Sequence, residues 1–285
     1  MKTMLIKLTL ITLLAAFALA PAFYARPVSA EDTFTIRIAS VSGPAHTHNK
    51  VMREWAKKVK EETNGRLTLR VLDSAQLGGE RDYIEGMQLG NIEMAQVSTG
   101  PISGFIPEFM VCALPYVLQD YDQIKRMLNG PVGQKLFERL EQKGIKGLTW
   151  FTNGFRSVFN RKKPIQGPDD LKGMKIRVME SPLMIGTLNA MGASATPMAY
   201  GELYTALQQG VMDGAENAPG NMLNDKFYEV SKYYTLTEHF APPGVVAISM
   251  KTYNKLPEDL QELSLIHISE PTRQVLVSRM PSAAW

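Results

Sequence analysis

Apolar and polar residues alternate from Thr33 to Val41, and Gly43-Pro44 ends the run, which predicts a strand. From about Thr47 to Thr63 the period changes. Val51, Trp55 and Val59 recur at helical spacing with Met52 and Ala56 beside them, one face of an amphipathic helix that Asn64-Gly65 stops. Leu67, Leu69 and Val71 alternate as a second strand, Gly78-Gly79 opens a helix to about Leu89, and Ile92 to Val97 reads as a third strand. This β-α-β-α-β order implies a parallel sheet covered by helices.

The middle of the chain is less regular. Phe105 to Leu118 is apolar and interrupted by Pro107 and Pro115, and Asp120 to Gly144 reads as two helices separated by Asn129-Gly-Pro131. A second α/β series begins with a strand near Ile145–Phe151. After the turn at Gly167-Pro-Asp-Asp-Leu171 come a short strand through Lys175-Ile-Arg-Val178, a helix from Pro182 to Met191 and a short strand Ser194–Thr196. A helix from about Tyr200 to Gln209 follows, and the chain turns through Gly210-Val-Met-Asp-Gly214. Two α/β units in one chain predict two lobes with a cleft between them, and in open α/β sheets ligands sit at the carboxyl ends of strands.

Arg177 stands out in this pattern. Ile176 and Val178 give its strand one apolar face, and Arg177 points to the other, just before a turn at Ser181-Pro182. A guanidinium placed there is costly unless paired, and its usual partner is a carboxylate held by two parallel N–H···O bonds. Two pairings remain open on this ground: a structural ion pair with Glu180 or Glu202, or the carboxylate of a ligand.

Residues 1–30 differ from the rest. Lys2 and Lys7 precede an almost unbroken apolar run from Leu8 to Ala20, and Val28-Ser29-Ala30 is a small-residue cleavage site followed by Glu31-Asp32. This reads as a secretory signal peptide, with an uncleaved anchor as the alternative. The formal charge of the whole chain is +3, but setting aside Lys2, Lys7, Arg26, Glu270, Arg273 and Arg279 leaves 26 basic and 27 acidic residues in 31–262. That balance gives no electrostatic case for nucleic acid or an anionic membrane, so a bound anion has to be held by a few local positive groups. Cys112, the only cysteine, excludes an internal disulfide, and its apolar setting Phe109-Met-Val-Cys-Ala-Leu114 reads as a buried, inert thiol. His46-x-His48 lacks a clear third ligand, so no metal and no cofactor is expected.

The stretch Pro197-Met-Ala-Tyr-Gly-Glu-Leu-Tyr-Thr-Ala-Leu-Gln-Gln-Gly-Val-Met-Asp-Gly-Ala-Glu-Asn217 resembles the signature of the solute-binding proteins of tripartite ATP-independent periplasmic (TRAP) transporters. Gln76-Leu-Gly-Gly-Glu-Arg81, Gly154-Phe-Arg156, Lys175-Ile-Arg-Val178 and Phe227-Tyr-Glu-Val230 do so too, collinearly over about residues 33–262. The resemblance implies an α/β, two-lobed periplasmic binding protein fold, type II-like. It implies a chain that closes around a small carboxylate-containing molecule and delivers it to a membrane permease driven by an ion gradient. It assigns Arg177 to the ligand carboxylate, turns Arg156 towards the cleft, gives Asn217 a hydrogen bond to ligand, and puts His48 at the cleft. Glu80 belongs to the same expected contact set, with a surface charge suited to a helix's positive end as the plain alternative. Ser98 stands where sialate-binding members carry an acid, which argues against sialic acid. The Asp-Gly-Ala-Glu-Asn217 form and Thr237-Glu-His239 resemble uronate-binding members, so sugar acids come first and C4-dicarboxylates second.

The expected organisation is a signal peptide over 1–30, lobe I over 31–153, lobe II over 154–239, a return to lobe I over 240–262, and a foreign tail over 263–285. From Leu263 the string Leu-Ser-Leu-Ile-His-Ile-Ser-Glu-Pro-Thr-Arg273 resembles a translated sequencing adaptor, where the family continues with a helix, so the fold is expected to be C-terminally truncated. The protein is expected to act in the periplasm as a monomer and not as an enzyme, for no nucleophile–base pair, metal-ligand cluster or phosphate loop stands out. Two other readings remain: a periplasmic enzyme acting on the same acids, and a sensor presenting ligand to a membrane kinase.

Overall fold

The structure is a computed structural model that describes residues 32–262, so residues 1–31, where a signal peptide is expected, and the stretch from Leu263 to Trp285 lie outside the described residues. β1 (Phe34–Ala39) leads into α1 (Thr47–Glu62), whose buried Met52, Trp55 and Val59 are the face that the spacing predicts. β2 (Leu67–Leu72), α2 (Glu80–Leu89) and β3 (Met94–Ser98) follow, with Gly90 closing α2 at φ 84°, a left-handed conformation suited to glycine. α3 (Thr99–Ser103) and a 3-10 turn over Pro107–Ala113 occupy the apolar stretch that the prolines interrupt. α4 (Tyr121–Asn129) and α5 (Pro131–Glu141) are separated at Gly130, where Pro131 starts the second helix at the position that needs no N–H donor.

β4 (Ile145–Thr152) then crosses to β5 (Arg156–Asn160), and β6 (Lys175–Val178), α6 (Pro182–Ala190) and β7 (Ser194–Pro197) follow. Tyr200–Glu202 is a 3-10 turn rather than the first turn of the expected helix, and α7 (Leu203–Gln209) begins after it. β8 (Gly214–Asn217), α8 (Pro219–Asn224), β9 (Tyr233–Phe240), β10 (Pro243–Ser249) and α9 (Met250–Tyr253) complete the labelled elements.

These strands form two five-stranded sheets, ordered β2-β1-β3-β10-β4 and β7-β6-β8-β5-β9. β1 pairs parallel with β2 and β3, as the alternating strand–helix order predicts, whereas β10 runs antiparallel between β3 and β4. In the second sheet β6 is parallel to β7 and β8, and β5 is antiparallel to β8 and β9. The chain passes between sheets after β4 and again after β9, so each sheet is the centre of a lobe.

Side-chain alternation splits the first core between the two faces of its sheet. Val246 and Ile248 of β10 join Ile36, Ile38 and Met94 under α1, while Val245 and Ala247 join Ala39, Ala95 and Val97 on the opposite face. The second sheet divides likewise, with Val158, Ile176 and Val178 on one side and Phe159 and Ala215 on the other. Cys112 is buried in the first lobe's core, and burial pushes its thiol up to about 12, which removes the thiolate that reactivity needs.

Candidate functional site

The carboxyl ends of strands from both sheets meet at a small cavity. Ser40 and Val41 follow β1, Gln96 and Ser98 lie on β3, Arg177 is in β6 and Met179 just after it, and Asn217 ends β8. All six candidate residues, Arg177, Arg156, Asn217, His48, Ser98 and Glu80, line this one cavity.

Arg177 is 2% exposed. Its Nε and Nη2 both donate to the Met198 carbonyl, at 2.9 and 2.7 Å, and its guanidinium lies 5.7 Å from the centroid of the Tyr200 ring. Its Nη1 is buried with no hydrogen-bond partner, and neither Glu180 nor Glu202 forms an ion pair with it among the described residues. Burial pulls its pKa below the usual arginine value, with Glu216 the chief opposing charge.

Arg156 is arranged differently. Its Nε donates to Glu216 Oε2 at 2.5 Å, and its Nη2 donates to Glu216 Oε1 at 2.9 Å and to the Glu216 carbonyl at 2.6 Å. Its Nη1 reaches Asn217 Oδ1 at 2.7 Å. Burial lowers its pKa, but Glu216 outweighs that and the net shift is upward. The charge of Arg156 is therefore matched by a carboxylate of the protein itself. Its guanidinium lines the cavity but serves as a brace between β5 and β8 rather than as a free cation.

Asn217 Oδ1 accepts from Arg156, from Asn221 Nδ2 at 2.7 Å and from the Ala218 amide at 2.9 Å. Its Nδ2 is left buried without a partner. Two donors on the cavity wall thus lack acceptors, Arg177 Nη1 and Asn217 Nδ2.

The first lobe supplies the opposite wall. Glu80 opens α2, and its Oε1 accepts from the Ser98 amide at 2.6 Å, which explains how both residues come to the cavity. Burial raises the carboxyl pKa of Glu80 against the hydrogen bonds from Ser98 and the charges of Arg177 and Arg156. His48 packs its ring against Phe151, centroids 4.8 Å apart, and burial aided by His46 lowers its pKa to about 3, so it is neutral at physiological pH.

Tyr200 lines the cavity, whereas Trp150 stacks on Phe137 in the core at 4.6 Å. Thr237 and His239 do not line it; they bond to each other at 2.8 Å on β9. Glu216, Asn221, Gln96 and the Met198 carbonyl belong to the site or its support and carry no distinguishing signal in the sequence, beyond the place of Glu216 in Asp-Gly-Ala-Glu-Asn217. Among the described residues no group of acidic, histidine or cysteine side chains is arranged to hold a metal, and no helix is long and apolar enough to cross a membrane.

The sequence model of the bacterial extracellular solute-binding protein family 7 matches residues 38–277, a span that reaches into the stretch from Leu263. A solute-binding protein of Verminephrobacter eiseniae is 39% identical over 224 residues, 78% of this chain and 67% of the relative. The chain spans about two thirds of the length of this relative and of a solute-binding protein of Chromohalobacter salexigens, to which it is 36% identical over 219 residues, 77% of this chain and 65% of that relative. A TRAP periplasmic solute-binding protein of Sulfitobacter sp. NAS-14.1, solved with bound β-D-galacturonate, superposes with a TM-score of 0.83 at 34% identity, covering 86% of this chain and 81% of that one. One from Sulfurospirillum deleyianum, solved with succinate, gives a TM-score of 0.83 at 33% identity, covering 86% and 79%. The family model spans most of the chain and the solved relatives superpose over 86% of it, so this chain belongs to the bacterial extracellular solute-binding protein family 7, the solute-binding proteins of TRAP transporters.

Proposed function

We propose that this protein captures a small organic acid in the periplasm, a sugar acid such as a uronate by preference, and delivers it to a TRAP permease. The observation that carries this reading is Arg177 Nη1, a charged donor buried at the cavity with no protein acceptor. An unpaired buried charge is costly, and a ligand carboxylate removes that cost. Asn217 Nδ2 is the second unsatisfied donor and suits a hydroxyl or carboxylate oxygen.

Charge distinguishes sugar acids from dicarboxylates. Of the cationic side chains among the described lining residues, Arg156 is matched by Glu216 and Arg177 alone lacks a counter-ion. Glu80, Ser98, Ser40 and Gln96 face them with acceptors and hydroxyls. A second ligand carboxylate would meet Glu80 without a cation of its own, whereas sugar hydroxyls can donate to Glu80. The Sulfitobacter relative's galacturonate agrees with this, and the Sulfurospirillum relative's succinate keeps dicarboxylates as the second reading.

A thermal-shift screen of organic acids followed by calorimetry tests the proposal. A ligand at 100 times its Kd stabilises by about 2.7 kcal/mol. D-galacturonate or another uronate should raise the melting temperature and bind more tightly than succinate, and Glu80→Gln should narrow the gap between them. Shifts with no acid, or product formation on incubation, would reject a transport role. Export through a cleaved leader predicts a periplasmic protein beginning at Glu31, readable by N-terminal sequencing.

A further inference from the structure

A directed hydrogen-bond chain runs from the first lobe to the cavity. His46 is 3% exposed and caps α1, its Nδ1 accepting from the His48 amide at 3.2 Å. A backbone amide can only donate, so the neutral ring carries its proton on Nε2. In the second lobe, Arg156 Nη1 and the Ala218 amide both donate to Asn217 Oδ1. Asn221 therefore presents Nδ2 to that oxygen, and its Oδ1 faces outward. His46 Nε2 and Asn221 Oδ1 meet at 3.0 Å across the cleft. Each lobe fixes the polarity of its own half by contacts within that lobe, so a ready donor and a ready acceptor come together when the lobes close.

The chain does not end at the lobe contact. From the His48 amide to His46, Asn221 and Asn217, every proton points the same way, and the last donor is Asn217 Nδ2, buried and unpartnered at the cavity. Aligned hydrogen bonds polarise one another. We propose that His46 and Asn221 are a latch, a positioning pair that ties closure of the lobes to the amide that Asn217 offers the ligand. A ligand oxygen accepting from Asn217 completes the chain and strengthens the link between the lobes. The inference rests on the binding role proposed above.

Because the latch forms on closure, it governs release rather than capture. One net hydrogen bond corresponds to about 5- to 10-fold in a rate or equilibrium. Stopped-flow binding of D-galacturonate to the wild type, His46→Ser, Asn221→Ala and the double variant tests this. His46→Ser keeps a side-chain oxygen to cap α1 and loses the arm across the cleft. The expected result is koff raised about 5- to 10-fold in each single variant, kon unchanged, and a double variant no faster in release than the faster single. Unchanged koff, or single effects that multiply in the double, would overturn the latch. Spin-label distances between Lys57 on α1 and Gln208 on α7, measured with and without galacturonate, separate this inference from the binding reading. If galacturonate neither binds nor closes the wild type, the sugar-acid reading fails. The latch is then judged on ligand-free protein, supported by a closed fraction that His46→Ser and Asn221→Ala both lower and overturned by one that neither moves. Should His46→Ser fail to fold, Asn221→Ala decides by the same koff criterion.

Discussion

At the scale of single residues, Arg177 was legible because its position is locally unusual: a guanidinium inside a short apolar strand needs a partner wherever the strand is buried. What the local pattern leaves open is the partner. The structure gives it a backbone carbonyl for two donors and nothing for the third. Arg177→Ala is expected to weaken binding of the favoured uronate by about 2–5 kcal/mol, roughly 30- to several-thousand-fold. Arg177→Lys keeps the charge and loses the fork, so calorimetry should find it nearly as poor. Near-normal affinity in both would make Arg177 structural. Arg156 was less legible because its partner Glu216 is 60 residues away in sequence and adjacent only through the β5–β8 pairing. A cleft arginine and a neutralised brace look the same until that pairing is known.

At the scale of elements, the longer helices and β1 to β4, β6 and β7 followed the sequence pattern, and β5, β8, β9 and β10 did not. Period is a signal only when one face is wet. Every residue of β5, β8 and β10 is buried, so no alternation marks them, and polar residues such as Arg156, Asn160 and Glu216 sit among the apolar ones. Apart from β8 with β6, their pairings are also antiparallel contacts between distant segments, which local reading does not reach. Two tests belong here. Glu216→Ala would leave Arg156 buried and unpaired, and denaturant unfolding should show a loss of about 3–5 kcal/mol. Replacing both by well-packed apolar residues should recover most of that loss, since the pair itself is a weak net contributor; a double variant as unstable as the single would contradict this account. In β10, a Cβ at Gly244 would overlap the ring of Phe151, so Gly244→Ala should cost about 1–3 kcal/mol unless Phe151 shifts. Because Phe151 also lines the cavity and contacts His48, the same variant should weaken ligand binding, a coupling that calorimetry would detect.

At the scale of the whole molecule, two lobes and a cleft followed from two successive α/β series, but the close fit across the cleft did not, because it depends on single contacts between distant residues such as His46 with Asn221 and Ser103 with Ser181. That fit leaves buried histidines on both sides of it. Burial lowers His48 to about 3, aided by His46, and lowers His239 to about 4 against the pull of Glu216. An unfolded histidine titrates near 6.5, well above His48 and less far above His239. As pH falls below about 6.5 the unfolded chain takes up protons that the folded chain refuses, so stability present at neutral pH is lost on acidification. Each histidine contributes a slope of about 1.4 kcal/mol per pH unit within its window. Glu80 works in the opposite direction, because its raised pKa relieves a buried charge as pH falls. Glu93 and Asp213 are held below their usual values by Arg37 and Lys162 despite partial burial, so their losses begin only nearer pH 4. Unfolding free energies measured from pH 7 to pH 4.5 should therefore fall well before the carboxylates titrate. His239→Gln should flatten the decline by about one proton, with His48→Gln giving a similar change if its amide is accommodated beside Phe151. A flat profile down to pH 4.5 in the wild type would mean that these imidazoles reach water in the folded state, and that the cleft is more open in solution than the contacts across it require.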